Sequence, residues 1–267
     1  MRIPIMAGNW KMNCTNDEAC ALACALAEKS GNVEGCEVVL CPPATALSTV
    51  AGCVKDTKIE VGAQNMLWES KGAFTGEISA PMILSTGAKW VIIGHSERRG
   101  RMSKLPDGWT EDLMSVFGDT DHSVNVKVKA ALAAGLKPIV ACGETEAEYD
   151  AGETEAIVSG QVRAMLEGFS PDEVAKLVIA YEPVWAIGTG KACESDPAND
   201  VCGLIRTTVS EMVGVEVAEG IRILYGGSVS PKNVAELMGK PQIDGGLVGG
   251  ASLKADDFAT LISVAAG

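Results

Sequence analysis

Glu182 stands directly after the short apolar segment 179–181 and just before Pro183. A carboxylate at the end of a buried strand costs free energy unless it has a partner or takes part in chemistry. The segment that follows ends in Gly-Thr-Gly-Lys at 188–191, so it can swing between stiff ends as active-site lids do. We therefore interpret Glu182 as a candidate base and residues 183–193 as a lid attached to it.

Other polar residues also follow apolar runs. Asn9 and Lys11 come after the first run, and His95 and Glu97 come after the fourth. Each has an ordinary explanation when it is taken alone. Lys11 could be a solvated loop lysine, His95 a histidine satisfied at a strand end, and Glu182 the cap of a local turn. Their recurrence at the same end of successive strands favours one shared site.

Paired glycines follow the last two runs and point to an anion. Ser228 follows a Gly-Gly pair, and Gly249 and Gly250 form another. Glycine lets backbone N–H groups approach phosphate oxygens closely, and barrels often bind phosphate after their seventh and eighth strands. Gly188 to Lys191 is not a nucleotide P-loop, because Trp185 and Ala192 occupy positions that need Gly and Ser or Thr.

Eight β-rich apolar runs alternate with helical segments and must position these residues. The predicted strands are 3–9, 37–41, 59–63, 90–94, 138–142, 177–181, 222–225 and 243–248. The predicted helices begin at 16 and then span 45–50, 80–86, 124–134, 154–166, 200–213 and 256–264. Continuous apolar strands are typical of a parallel sheet covered on both faces. The pattern predicts an α/β protein, a (β/α)8 barrel of one domain over 1–267, with a doubly wound open sheet as the alternative.

Composition limits the partners and the compartment. The 267 residues carry a formal net charge of −13, which argues against nucleic acid or an anionic membrane as the partner. Nine cysteines without a Cys-x-x-Cys pair, and only two histidines, argue against a disulfide framework or a zinc site. The chain opens without a signal-peptide pattern and has no long apolar run. We expect a cytoplasmic protein with no metal.

The chain closely resembles the triosephosphate isomerase family from end to end. The motifs are Asn-Trp-Lys-Met-Asn at 9–13, Ala-Gln-Asn at 63–65, Gly-Ala-Phe-Thr-Gly-Glu at 72–77, Gly-His-Ser-Glu-Arg-Arg at 94–99, the segment 180–191, Tyr-Gly-Gly-Ser at 225–228 and Leu-Val-Gly-Gly-Ala-Ser at 247–252. The resemblance implies a TIM barrel that interconverts dihydroxyacetone phosphate and glyceraldehyde 3-phosphate without a cofactor or metal.

The same resemblance implies a role for each motif residue. Glu182 would be the base that moves the proton, and His95 the electrophile that hydrogen-bonds the carbonyl and enediolate oxygens. The family is itself a standard example of a catalytic histidine kept neutral. Lys11 would supply positive charge, assisted by Asn9. The residues that would bind the phosphate are Gly188, Ser228, Gly249 and Gly250. The residues expected to support the site are Ser96, Glu97, Cys142 and Tyr225.

A homodimer is also implied by the resemblance. The family's third loop reaches into the partner's active site, and here that loop spans about 65–79 with Thr75 near its tip. Thr75 would then lie nearest the Asn9 and Lys11 of the other copy. The alternative is a monomer with a loose loop.

The chain departs from the family pattern in three places. An insert at 100–116 extends the loop after the fourth strand; it is either a tolerated surface excursion or a short helix near the active-site rim or dimer interface. The lid's C-terminal hinge ends in Cys193, a thiol that we expect to be sensitive to oxidants if it is exposed. Gly246 stands where Phe is common in the family, which predicts less apolar bulk behind the phosphate loop but no lost chemistry.

Three other functions remain to be weighed. A phosphosugar aldolase would need a lysine inside the barrel, and no apolar run carries one at its centre. A metal-using epimerase would need more histidines than His95 and His122. A catalytically impaired phosphate-binding scaffold would have lost at least one of Lys11, His95 and Glu182, and all three are present.

Overall fold

Alternating strands and helices make up the computed structural model, which describes residues 2–102, 109–110, 113, 116–188 and 193–267. Its strands are β1 Ile5–Asn9, β2 Glu37–Cys41, β3 Glu60–Ala63, β4 Trp90–Ile93, β5 Lys137–Cys142, β6 Val178–Tyr181, β7 Arg222–Tyr225 and β8 Gly245–Val248. Each pairs in parallel with the next, and β1 pairs with β8, so the sheet closes. The closed sheet confirms the barrel and excludes the open doubly wound alternative.

Helices surround this barrel in the described part of the chain. They are α1 Asn16–Ser30, α2 Leu47–Val54, α3 Ala80–Ser85, α4 Asp121–Ala134, α5 Glu146–Asp150, α6 Thr154–Leu166, α7 Pro171–Val174, α8 Ser195–Val213, α9 Val215–Gly220, α10 Val234–Met238 and α11 Ala255–Ala266. Short 3₁₀ turns cover Ala44–Ala46, Val184–Ala186 and Gly250–Leu253. No described helix is both long and apolar enough to cross a membrane.

Two apolar clusters fill the molecule, one inside the barrel and one between strands and helices. Ile5 and Ala7 of β1 point into the barrel, whereas Met6 between them packs in the outer cluster. This period of two follows from strand geometry. The alternation points Asn9, the last residue of β1, inward, and its continuation past the end of β6 brings Glu182 to the barrel mouth after Ala180.

Several predicted boundaries were wrong by a few residues, and the chemistry of the chain explains two of them. β1 begins at Ile5 and not at residue 3, because Pro4 has no N–H for the ladder and Ile3 is exposed. α8 begins at Ser195 and not at residue 200. Pro197 interrupts the pattern there, but proline is tolerated in the first turn, where its missing N–H would have no helical acceptor.

Two of the expected departures from the family pattern, the insert at 100–116 and Gly246, can be compared with the structure. Residues 103–108, 111–112 and 114–115, which include most of the helix proposed for the insert, lie outside the described residues. At Gly246, a Cβ atom would lie 3.2 Å from Val248 Cγ2 and 3.4 Å from Met6 Sδ. These neighbours therefore occupy the space beside the missing side chain, and a phenylalanine would not fit here without repacking.

An ionic cluster closes the amino-terminal end of the barrel around Glu60. The Glu60 carboxylate accepts hydrogen bonds from Lys89 Nζ at 2.8 Å, Lys137 Nζ at 2.8 Å and Trp90 Nε1 at 2.6 Å. Burial alone would raise the pKa of Glu60, but the hydrogen bonds and positive charge outweigh it and lower that pKa to about 2. The cluster joins the first residues of β3, β4 and β5.

Glu60→Gln tests this cluster. The folded-state pKa of Glu60 lies below the ordinary glutamate value of 4.5, so the stabilisation is complete above pH 4.5 and is lost as the pH falls towards 2. We expect the variant to lose about 1–3 kcal/mol of unfolding free energy at pH 7, and its deficit to shrink below pH 4.5. Urea unfolding at one protein concentration from pH 7 to pH 3 measures both effects.

Glu34→Gln is the matched control for that experiment. Glu34 pairs with Lys58 at the surface, where its side chain is 84% exposed. An exposed pair contributes about 0–1 kcal/mol because water and salt screen it. A deficit for Glu60→Gln that stays constant between pH 7 and pH 3 would contradict the assignment of the stabilisation to its carboxylate.

Candidate active site

A cavity of about 340 Å³ opens at the carboxyl ends of the strands, where the sequence predicts the site. It brings together residues from the first, fourth, sixth, seventh and eighth units. The predicted site residues that line it are Asn9, Lys11, His95, Gly188, Ser228, Gly249 and Gly250. Because these residues come from loops spread over 240 residues of sequence, closure of the barrel is what assembles them.

Glu182 lies beside this cavity but is held away from it. Its Oε1 atom is 2.8 Å from His95 Nε2, and its Oε2 accepts the backbone N–H of Ser96 at 2.9 Å. The residue is only 1% exposed. Complete burial would raise the pKa of Glu182, but the hydrogen bond from His95, the amide of Ser96 and the charge of Lys11 lower it below its ordinary value. Glu182 is therefore held ionised, as a base requires.

The tautomer of His95 follows from its two contacts. The backbone N–H of Glu97 points at His95 Nδ1 at 3.2 Å, so this nitrogen is the acceptor. A neutral imidazole then carries its proton on Nε2, which donates to Glu182. The arrangement presents a neutral N–H donor at the cavity wall.

Lys11 has a strained backbone that its neighbours hold in place. Its φ is +52°, a left-handed value that is uncommon for a residue with a side chain. The Lys11 N–H donates to Asn9 Oδ1 at 3.1 Å, and Gln64 Nε2 donates to the Lys11 carbonyl at 2.8 Å and to that of Cys41 at 2.9 Å. The ammonium group pairs with Glu97 Oε1 at 2.7 Å.

Gly226 is required for space behind Glu182. A Cβ atom at this position would lie 3.0 Å from Glu182 Cγ and 3.0 Å from the carbonyl oxygen of Tyr181. Both contacts are tighter than ordinary packing allows, and the second is to backbone, which cannot move aside. The first glycine of the Gly-Gly pair therefore makes room for Glu182, and Gly249 and Gly250 line the cavity beside Lys11.

Tyr225 and Cys142 occupy supporting positions. The Tyr225 hydroxyl donates to the Cys193 carbonyl at 3.4 Å and accepts from the backbone of Ser228, which links the end of the predicted lid to the loop after β7. The Cys142 carbonyl accepts the Glu182 N–H at 2.8 Å, and burial raises the pKa of the Cys142 thiol to about 12. Cys142 thus positions Glu182 through its backbone and not through its thiol.

Glu144 is a site residue that the sequence analysis missed. It is fully buried, and its Oε1 accepts from Trp185 Nε1 at 2.8 Å and from the Tyr181 hydroxyl at 3.0 Å. Burial raises the pKa of Glu144 despite these bonds. Tyr149 stacks on the Trp185 ring at 4.3 Å. The first part of the lid is therefore docked against Glu144, whose place two residues after β5 was the available signal.

Cys193 was expected to be sensitive to oxidants if its thiol were exposed, and it is not exposed. The residue is buried, with 6% of its surface exposed, and burial raises the pKa of its thiol to about 12. A buried, protonated thiol is a poor nucleophile. The rest of the hinge, Lys191 and Ala192, lies outside the described residues together with residues 189 and 190.

Residues of the insert reach the rim of the site. A second cavity, of about 580 Å³, shares Asn9, Lys11 and His95 with the first and is also lined by Met102 and Trp109 of the insert. The ring of Trp109 stacks on Phe117 with centroids 5.7 Å apart, and the guanidinium of Arg98 lies 5.6 Å from the Phe117 centroid. The described part of the insert is therefore packed against the loop that carries His95.

Comparison with known proteins agrees with this geometry. A family model described as triosephosphate isomerase matches residues 4–265. The chain belongs to the triosephosphate isomerase family. A triosephosphate isomerase of Chloroflexus aurantiacus is 49% identical over 262 residues, covering 98% of this chain and 99% of its own. Those of Roseiflexus sp. and Lactiplantibacillus plantarum are 49% and 46% identical over 98% of this chain and 97% and 98% of theirs.

Gln64→Leu tests whether the strained loop needs its amide donors. Leucine keeps most of the volume but removes the donor to the partly buried Lys11 carbonyl, and it leaves the Cys41 carbonyl with only the Trp10 N–H at 3.1 Å. We expect kcat/KM for isomerisation of triose phosphates to fall by about tenfold to a hundredfold, because Lys11 would lose its fixed position. Steady-state kinetics measures this loss, and thermal unfolding measures the accompanying loss of stability.

Gln242→Leu is the control for Gln64→Leu. Gln242 accepts a hydrogen bond from Arg206 Nε at 2.8 Å and lies just before β8, at the other end of the barrel. Its loss should reduce stability and leave kcat/KM close to that of the parent. Equal kinetic losses in the two variants would assign the effect of Gln64 to general destabilisation.

Proposed function

We propose that this protein interconverts dihydroxyacetone phosphate and D-glyceraldehyde 3-phosphate, with Glu182 as the base, His95 as the electrophile and Lys11 as the electrostatic stabiliser. Membership of the triosephosphate isomerase family supports the reaction. The observation that carries the assignment of roles is the buried contact of 2.8 Å between Glu182 Oε1 and His95 Nε2, beside a cavity into which Lys11 also projects.

The reaction follows from this arrangement as two proton transfers at carbon, made by Glu182, and one transfer between the two oxygens, made by His95. Glu182 leaves His95 and Ser96, and takes a proton from the carbon next to the substrate carbonyl. The same movement frees His95 Nε2–H to donate to the carbonyl oxygen, where negative charge develops. The resulting enediolate is stabilised by His95 and by the ammonium group of Lys11. His95 gives its Nε2 proton to this oxyanion and takes the hydroxyl proton from the other oxygen, while Glu182 returns its proton to the neighbouring carbon, so the product is an isomer and the enzyme is unchanged.

The glycine-rich side of the cavity would hold the phosphate. Gly188, Ser228, Gly249 and Gly250 line it, and none of them contributes a negative side chain. Closure of the lid, residues 183–193, would exclude water and so limit loss of phosphate from the intermediate. In this reading Trp185 must leave or adjust its contact with Glu144 when the lid moves.

Glu182→Gln tests the assignment of the base. The amide has nearly the same shape but cannot accept a proton, so kcat should fall by about 10²- to 10⁴-fold or more. KM should change little, since the phosphate site is untouched. Activity is measured on glyceraldehyde 3-phosphate with a coupled dehydrogenase that reduces dihydroxyacetone phosphate, and circular dichroism checks the fold.

The same assay distinguishes an active isomerase from the catalytically impaired phosphate-binding scaffold. A parent protein without isomerase activity that binds inorganic phosphate tightly would be a scaffold and would overturn the proposed function. An active parent with an equally active Glu182→Gln variant would keep the reaction but reject Glu182 as the base.

We also propose that the protein acts as a homodimer in the cytoplasm, in glycolysis and gluconeogenesis. Exposed apolar side chains support the dimer: Met12 is 95% exposed, Phe74 44% and Trp68 40%. Thr75, at the tip of the third loop, is exposed beside Phe74. All nine cysteines are free thiols, which is consistent with a reducing compartment.

Phe74→Asp tests the dimer. A charge in an apolar interface is costly to bury, so the variant should dissociate at micromolar concentration, and isomerase activity should fall at least about tenfold. Sedimentation velocity measures the mass. Val215→Asp introduces the same charge at a side chain that is 66% exposed on α9 and should change neither mass nor activity. A parent that sediments as a monomer would refute the homodimer.

A further inference from the structure

Three thiols meet on the outer face of the helical layer. Cys20 and Cys24 lie one turn apart on α1, and Cys53 lies near the end of α2. Their sulfur atoms all lie within 4.8 Å of one another, and those of Cys20 and Cys53 are 3.2 Å apart. Cys24 is exposed and the other two are half-buried, so an ion from solvent can reach the group.

The helices bring these thiols together for simple reasons. Residues four apart lie on the same face of a helix, which places Cys20 and Cys24 side by side. α1 is held at its start by a capping box between Thr15 and Glu18, and it packs against α2. The other residues of α1 near the thiols are mostly alanines, which leave space for the larger sulfur atoms. The group therefore sits on two regular elements and not on a loop.

The spacing suits a metal ion bound by sulfur. A zinc–sulfur bond is about 2.3 Å long, so sulfurs around one ion lie about 3.8–4.0 Å apart in tetrahedral or trigonal geometry. The separations here, from 3.2 Å to at most 4.8 Å, bracket that value. We propose that Cys20, Cys24 and Cys53 form a three-thiolate site for one thiophilic metal ion of the Cu⁺, Zn²⁺ or Cd²⁺ class.

The site would have an open coordination position. Within the described part of the chain, no histidine, aspartate or glutamate joins the three cysteines in this group. Cu⁺ accepts three sulfur ligands readily, whereas Zn²⁺ would complete its tetrahedron with water. None of the three cysteines lines either cavity that contains the proposed catalytic residues, so the site is separate from the isomerase site.

Metal binding at this group must release protons. Thiols bind metals as thiolates, so the metal must displace their protons. For each proton displaced, the apparent association constant of the metal rises about tenfold per pH unit. Affinity should therefore rise steeply between pH 6 and pH 8.

Titration with Cd²⁺ tests the site. The full-length protein is stripped of metal, reduced with a phosphine and kept under argon, and Cd²⁺ is added while sulfur-to-metal charge-transfer absorption is recorded. We expect saturation at one ion per chain, release of protons into a weak buffer, and binding that tightens with pH. Imidazole and carboxylate ligands do not produce this absorption, so His95 and Glu182 cannot mimic the signal.

Serine variants assign the ligands. Cys24→Ser should weaken Cd²⁺ binding at least about tenfold, and because Cys24 is exposed this change leaves the core packing intact. Cys20→Ser should do the same. Cys14→Ser is the matched control, since Cys14 is a half-buried thiol outside the group, and it should bind Cd²⁺ like the parent. Isomerase activity confirms that each variant is folded.

Two results would overturn the proposal. One is a reduced parent protein that gives no stoichiometric charge-transfer signal; a Cys20–Cys53 disulfide formed on exposure to air would then be the better explanation of the short sulfur–sulfur distance. The other is a Cys24→Ser variant that binds Cd²⁺ as tightly as the parent, which would place the ion elsewhere.

Discussion

The contact between Glu182 and the turn that carries His95 is the constraint on which the rest of the site depends. A buried carboxylate is tolerated only where donors surround it, and here the donors are an imidazole N–H and the backbone N–H of Ser96. Those donors come from the end of β4, whereas Glu182 follows β6. The two strands are both paired with β5, so the geometry of the carboxylate is set by the register of three adjacent strands.

Lys11 shows a second constraint of the same kind, but it is built from a loop. A left-handed lysine backbone is stable only if its surroundings supply more than the strain costs, about 1–3 kcal/mol. Asn9 and Gln64 make three hydrogen bonds here, two with the backbone of Lys11 and one with the nearby Cys41 carbonyl. Glu97 fixes the ammonium group. In the proposed mechanism the charge of Lys11 is thus positioned before substrate arrives, which is the condition under which electrostatic stabilisation is most effective.

The parts of the site that follow strand periodicity could be predicted from the sequence. Asn9 and Glu182 continue the inward alternation of their strands, so their place at the barrel mouth was predictable. Glu144 and Gln64 were not assigned a role, because their importance depends on which distant group their side chains reach: the indole of Trp185 in one case and a backbone carbonyl in the other. Cysteines on two different helices likewise give no joint pattern until the helices pack.

The proposed catalytic residues and the three thiols lie on different parts of the barrel, which explains why a second site could arise on its outer layer. The proposed chemistry uses strand ends and the loops after them, so the solvent-facing sides of α1 and α2 need only keep their packing and solubility. A cysteine among alanines satisfies both needs, because it behaves as a small apolar residue until it loses its proton. Three such residues brought together by helix packing then acquire a property that none has alone, which is affinity for a soft cation. The isomerase site places no constraint against this, since its residues share no side chain with the three thiols.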